Sequence, residues 1–288
     1  MTRSKPPKIL LIDAGNTRVK AGLCVFPQPD ASQLPLFDEC AAVPCGTPLP
    51  WLDLFGSTPN PTQFTAAIAG SNPSEVARIV RDWPTGWPLP LNVNDRRAFP
   101  LVIDVDFPDK VGIDRLLGAI AANVIRREHQ PAVIISSGTA TTVDYVNPHG
   151  HFCGGAILPG FDLCAKALHQ YTALLPMIEM HDVLRDAGAP AEIGRNTQAA
   201  ITSGLYWGHV GAVKELLHRL TEAALSSNGK HREPLVLLAL ARRTTPRAPS
   251  AHDRPHRTPP RPPRPGAGRR ASAIRNPPPR SQRSPGSA

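Results

Sequence analysis

Residues 9–25 read ILLIDAGNTRVKAGLCV, and residues 132–146 read AVIISSGTATTVDYV. In each stretch a short apolar run stops at a turn of small residues and an apolar run of strand length then resumes, the pattern of a hairpin. A strand-turn-strand unit that occurs twice predicts two related lobes rather than one continuous sheet. Between and beyond the two hairpins, Phe64–Ala69 reads as a buried strand closed by Gly70-Ser71-Asn72-Pro73, with a helix from Pro73 to Trp83. Leu116, Leu117, Ile120 and Val124 recur at helical spacing within Ile113–Arg127. Gly154–Gly160 leads into a helix over Phe161–Tyr171. Ile193–Leu225 carries a long helical pattern expected to break near Gly204 and Gly208, and Leu235–Leu240 has strand length. The Pro-rich stretch 27–63 is expected to hold loops and edge strands. The fold class is therefore α/β.

A chain of 288 residues exceeds the usual single-domain length and can bury a sizeable core. The reading places one lobe at 1–125, a second at 126–240 and a tail at 241–288. The formal net charge of +9 points at first to a nucleic-acid or membrane partner, but its distribution excludes that for the folded part. Ala241–Ala288 holds 12 Arg, 12 Pro and a single acid, Asp253, which leaves residues 1–240 slightly acidic. With no aromatic residue and one branched aliphatic, Ile274, the tail cannot bury enough surface to offset chain entropy and is expected to be disordered. Any nucleic-acid binding through it would be non-specific and salt-dependent. The five cysteines, an odd number with no CxxC pair, fit small core residues in a reduced cytoplasm. The apolar run after the basic N-terminus is too short for a signal segment and no window reaches membrane-span length, so a cytoplasmic protein without a membrane partner is expected.

The chemistry gathers at the turns. Asp13, at a strand end, is followed by Ala14, Gly15, Asn16, Thr17, Arg18, Val19 and Lys20. An acid, a Gly turn with exposed N–H groups and a hydroxyl can hold a triphosphate and its Mg²⁺. Taken alone, the same residues are equally a common hairpin turn with a solvated lysine. The second turn, Gly138–Asp144, is by itself a hydroxyl-rich hairpin; two such turns facing one another across a cleft could clamp both ends of a phosphate chain. Gly112-Ile113-Asp114-Arg115 sets a carboxylate and a guanidinium at a helix start, where an alcohol kinase would need a base for the hydroxyl and a cation for an acidic substrate. A helix-stabilising acid beside a surface arginine is the alternative.

The DxGNTxxK opening, GxDR at 112–115, GTATTxD at 138–144, GGxIxPG at 154–160 and Gly194-Arg195-Asn196-Thr197 occur in the order and approximate spacing of type III pantothenate kinases. The chain resembles that family from Ile9 to about Leu240. The resemblance implies two ribonuclease-H-like lobes of the actin-like ATPase fold around a central cleft, and ATP-dependent phosphorylation of pantothenate to 4'-phosphopantothenate, the first step of coenzyme A synthesis. It implies ATP on Asp13–Lys20 and Thr139, with Mg²⁺ or another divalent cation held through the phosphates near Asp13. Pantothenate would lie on Gly112–Arg115 and Thr197, with Asp114 as general base and Arg115 on the substrate carboxylate. A homodimer is implied as well.

Three departures stand out. Ser136 takes the place of the family's aspartate for a monovalent cation, K⁺ or NH₄⁺, and a neutral hydroxyl is a weaker ligand. Phe107 is nearest to where a pocket tyrosine often stands. After Pro234-Leu-Val-Leu-Leu the family continues with a Thr-Gly-Gly turn, whereas Ala239-Leu-Ala-Arg-Arg opens the tail here; residues after about Leu238 read as out-of-frame translation, or else as a genuine disordered extension. Two other functions follow from these residues: a catalytically impaired actin-like regulator or binding protein, and a kinase for a sugar or another hydroxy acid.

Overall fold

The computed structural model describes residues 8–25, 33–55, 64–179, 188–226 and 233–240. Two mixed sheets carry the two hairpins. In the first, β1 (Lys8–Ala14) pairs antiparallel with β2 (Arg18–Val25), which pairs antiparallel with the edge strand β3 (Leu36–Pro44); on its other side β1 runs parallel to β4 (Phe64–Ala69), and β4 to the short β5 (Leu91–Asn92). In the second, β6 (Ala132–Ser137) pairs antiparallel with β7 (Ala140–Val146), β7 with β8 (Phe152–Pro159), and β6 runs parallel to β9 (Leu235–Leu240). The orders β3-β2-β1-β4-β5 and β8-β7-β6-β9 share one plan: a three-stranded antiparallel meander with a parallel strand added beside the first. This is the α/β arrangement expected of ribonuclease-H-like lobes.

Alternation explains each sheet. Leu10, Ile12 and Ala14 are buried along β1 and join Val19, Ala21 and Leu23 of β2 in the first core. Trp51 and Phe55 of α1 (Trp51–Phe55), with Phe64, Trp83 and Trp87, close that core with edge-on and tilted ring contacts 5.0–6.1 Å apart. Helix α2 (Pro73–Arg81) starts where the sequence predicts: Asn72 Oδ1 accepts from Glu75 N at 3.2 Å, and Pro73 costs nothing in the first turn.

One face of the second sheet is covered by α3 (Ile113–Ile125), whose Leu116, Ala119 and Ala122 pack with Ala132, Ile134 and Phe152. Phe99, Leu101, Ile103, Val105 and Val111 join the same core, and Ile103 bridges Phe152. Residues 99–125 thus pack with the second sheet, although the sequence reading places them in the first lobe. The opposite face takes Val213, Leu216, Leu217 and Leu220 of α5 (Thr197–Ser226), while α4 (Phe161–Gln170) packs on the earlier part of α5 through Ala165, Ile201 and Leu205.

Two expectations are corrected. Helix α5 runs unbroken for 30 residues through Gly204 and Gly208, where a break was expected. Its two packing surfaces, one on α4 and one on the sheet, outweigh a glycine penalty of about 1 kcal/mol each. Of the cysteines only Cys24 is buried; Cys40 is exposed and Cys45, Cys153 and Cys164 are half-buried, and no disulfide joins them among the described residues. Strand β9 continues in register with β6 through Leu240, past the point where the sequence turns unusual. The tail 241–288 lies outside the described residues. No helix among the described residues is long and apolar enough to cross a membrane.

Candidate active site

The first turn is held from behind and bare in front. Gly15 N donates to Arg18 O at 3.0 Å, Cys45 N to Thr17 O at 3.1 Å and Asn72 N to Ala14 O at 3.1 Å. Cys45 Sγ donates to Gly15 O at 3.2 Å. Burial, aided by the nearby Glu75, pushes that thiol up, so it stays a neutral donor. Glu75 in turn accepts from Gly46 N at 2.9 Å and from Arg78 Nη2 at 2.7 Å and Nε at 3.0 Å; the Arg78 guanidinium holds the Glu75 carboxyl below the usual range. At the front, Lys20 Nζ donates to Asp13 Oδ2 at 3.0 Å with nearly half of each side chain exposed, and Asn16 and Thr17 are exposed.

The second turn is braced differently. Gly138 N donates to Ala140 O at 3.0 Å and Gly160 N to Thr139 O at 2.9 Å. A Cβ on Gly160 would lie 2.1 Å from Gly138 O, so only glycine lets the start of α4 approach this closely. Beneath, Thr141 Oγ1 donates to Ser137 Oγ at 3.3 Å and lies 3.1 Å from His209 Nε2, against which the Phe161 ring packs at 4.1 Å. Burial pushes His209 down, keeping it neutral. Ser136 is half-buried on β6, in register with Thr142 and Ala239 and, by alternation, on the α3 side of the sheet.

The two turns meet. Thr17 Oγ1 and Thr139 Oγ1 lie 2.7 Å apart, 122 residues distant in sequence. The surrounding N–H groups, hydroxyls and Lys20 suit an anionic chain laid across both turns. Asp13 presents an exposed carboxylate toward a hydrated cation that such a chain would bring. The described residues contain no cluster of three His, Cys, Asp or Glu able to hold a metal ion unaided.

At the start of α3, Gly112 occupies the N-cap position with its carbonyl accepting from Leu116 N at 3.3 Å. Asp114 is exposed and, among the described residues, its carboxylate has no hydrogen-bond or ion-pair partner. Such an acid can accept a proton. Arg115 turns inward: Nε donates to Asp144 Oδ1 at 2.8 Å, and Nη2 donates to the same oxygen. Thr197 opens α5, exposed, beside the Asn196 cap that accepts from Ala199 N at 2.8 Å. Its chain neighbours Asn196 and Gln198, with Pro190, Ile193, Gly194 and Thr202, line a groove of about 280 Å³ to which Thr197 itself does not contribute, and no hydrogen bond or ion pair among the described residues links Thr197 to Asp114 or Arg115. Phe107 is exposed, with Lys110 Nζ 5.0 Å from its ring centre.

Two residues of this region were not assigned a role from the sequence. Asp144 is the single charged residue of β7, a signal for a paired buried charge. His209, on the sheet-facing side of a long helix, carries no local signal.

The family model described as type III pantothenate kinase matches residues 9–219. The type III pantothenate kinase of Gluconobacter oxydans (strain 621H) is 36% identical over 232 residues, 74% of this chain and 77% of that one. That of Paramagnetospirillum magneticum (strain ATCC 700264 / AMB-1) is 42% identical over 135 residues, spanning 46% of this chain and 48% of the relative. Among solved structures, MreB 5 of Spiroplasma citri bound to AMPPNP aligns over 82% of this chain and 92% of that chain, at 10% identity and a TM-score of 0.41.

Proposed function

This chain belongs to the type III pantothenate kinase family, enzymes that phosphorylate pantothenate with ATP at the entry to coenzyme A synthesis, and we propose that its described residues carry that reaction. The observation that supports it most is the 2.7 Å contact between Thr17 and Thr139, which makes one anion-binding edge of two turns. In this reading the sheets belong to two lobes, and the exposed turn residues Asn16 and Thr17, Lys20 and the Thr139 hydroxyl bind the ATP phosphates. Asp13 would hold a hydrated Mg²⁺ or similar divalent cation brought in with the phosphates, which would neutralise phosphate charge.

Asp114, with no competing partner, takes the proton from the substrate's primary hydroxyl as that oxygen attacks the γ-phosphorus. Arg115 binds the substrate carboxylate, and Gly112, Ile113 and Thr197 shape the pocket. Ser136, lacking charge, binds K⁺ or NH₄⁺ weakly, so activity should respond little to either ion. The protein works in the cytoplasm as a homodimer.

Coupled ADP release with pantothenate tests the proposal. Asp114→Asn should lower kcat by roughly 10²- to 10⁴-fold. A parent that releases ADP with pantothenate while Asp114→Asn keeps its rate excludes the base assignment. Ser136 favours a second reading, an actin-like regulator with impaired turnover; ATP binding without any pantothenate-dependent ADP release would select it.

A further inference from the structure

The Arg115 guanidinium is restrained on an edge and on a face. Nε and Nη2 both donate to Asp144 Oδ1, while the ring of the fully buried Phe152 lies 5.4 Å from Cζ. Asp144 is itself fixed: its side chain is 1% exposed, and Thr142 Oγ1 donates to its Oδ2 at 2.9 Å. Strand β8 pairs beside β7 in the sheet, with Gly155 opposite Asp144. Gly155, at φ 157°, is the residue there, and a Cβ on it would lie 2.1 Å from Val143 O and 3.0 Å from Asp144 Oδ1. The second glycine of the GGxIxPG run thus lets β8 lie close against the β7 backbone at Asp144, with no side chain crowding its carboxylate. Arg115 Nη1 has no hydrogen-bond or ion-pair partner among the described residues.

We propose that Asp144 is a positioning residue that locks Arg115 in one plane, so that the remaining guanidinium edge reads the substrate carboxylate by direction rather than by net charge. The proposal rests on the pantothenate reading above. A loose arginine attracts any anion, including the phosphates of ATP bound nearby. One neutralised by a buried carboxylate and pressed on a ring keeps its N–H geometry and gives up most of its long-range pull. Discrimination then favours a planar carboxylate in one orientation, and the ordering cost is met in the fold rather than on binding.

The test is Asp144→Asn, which keeps the shape and removes the charge, assayed with pantothenate and with the analogue whose carboxylate is replaced by a primary alcohol. Loss of a charge-assisted restraint should raise KM for pantothenate about tenfold, leave KM for ATP unchanged and shift the alcohol analogue much less. Arg115→Gln in the same background should add little. An unchanged or lowered KM for pantothenate, or an equal shift for both substrates, overturns the proposal.

Should Asp144→Asn fail to fold, Thr142→Val removes only the second brace and should move the pantothenate KM in the same direction by about threefold. No movement overturns the proposal equally. A parent that turns over neither substrate removes the functional reading and this proposal together. A parent that turns over pantothenate while Asp144→Asn keeps its KM removes the positioning role alone.

Discussion

The two hairpins share a topology and invert each other's electrostatics. At 13–20 the charges stand at the rim, with Asp13 and Lys20 paired at the surface and each about half exposed, while the buried support comes from Glu75 and Arg78 through Gly46 and Cys45. At 136–144 the rim carries only hydroxyls, and the acid is drawn inward to Asp144 to meet Arg115. A turn with exposed charge can meet phosphate and a cation. One with its charge buried leaves the rim neutral and spends its acid on orienting the arginine beside Asp114. One strand plan thus carries two different arrangements of charge.

Stability should separate the copies most strongly. Asp144→Ala leaves the half-buried Arg115 uncompensated and should cost about 3 kcal/mol in urea unfolding. Asp13→Ala, at an exposed pair, should cost about 0–1 kcal/mol while abolishing most ATP-dependent turnover. Equal losses of stability would erase the contrast.

Acid should separate them next. Arg78 lowers the Glu75 carboxyl, so its stabilisation is full above the unfolded carboxyl's range, about pH 4.3, and is lost as pH falls through the lower folded value. Glu75→Gln should cost about 1.5–3 kcal/mol at pH 7 and flatten the acid limb below about pH 4. A limb as steep as the parent's would locate the titrating group elsewhere.

The second turn should also weaken on acidification, beginning nearer neutrality than the first. Burial lowers His209, so its neutral form contributes fully above the unfolded value of about 6.5, and that contribution is lost as pH falls below it. Replacing His209 by Gln should reduce the stability difference between pH 7 and pH 5 measured by urea unfolding. Retention of the full difference in that variant would exclude His209 as its source. The smallest effect belongs to Lys20→Ala, within about 1 kcal/mol of parent stability, with a raised KM for ATP as its visible consequence.

Much of this was legible in the sequence because it is local. Both hairpins, α2 with its Asn72 cap and the apolar stripe of α3 follow from period, turn chemistry and capping. What was hidden depends on pairing across sequence distance. Residues 99–111 show no strong period, yet they pack on the second sheet through Phe99, Leu101 and Ile103. Gly204 and Gly208 look like breaks because propensity is local, whereas α5 is held by contacts to α4 and to β6 and β7. At the site, Asp13, Asp114 and Thr139 were named from their motifs. The partner of Arg115 was not, because Asp144 lies 29 residues away and only the β7 register turns it toward α3.

A double-mutant cycle with Thr17→Val and Thr139→Val, read as ATP affinity by calorimetry, tests most directly whether the two turns form one phosphate site. If they do, each single variant weakens ATP and the double variant loses less than the sum, with a coupling of about 0.5 kcal/mol or more. Losses that add to within about 0.3 kcal/mol, or no loss at all from Thr139→Val, would contradict a shared site.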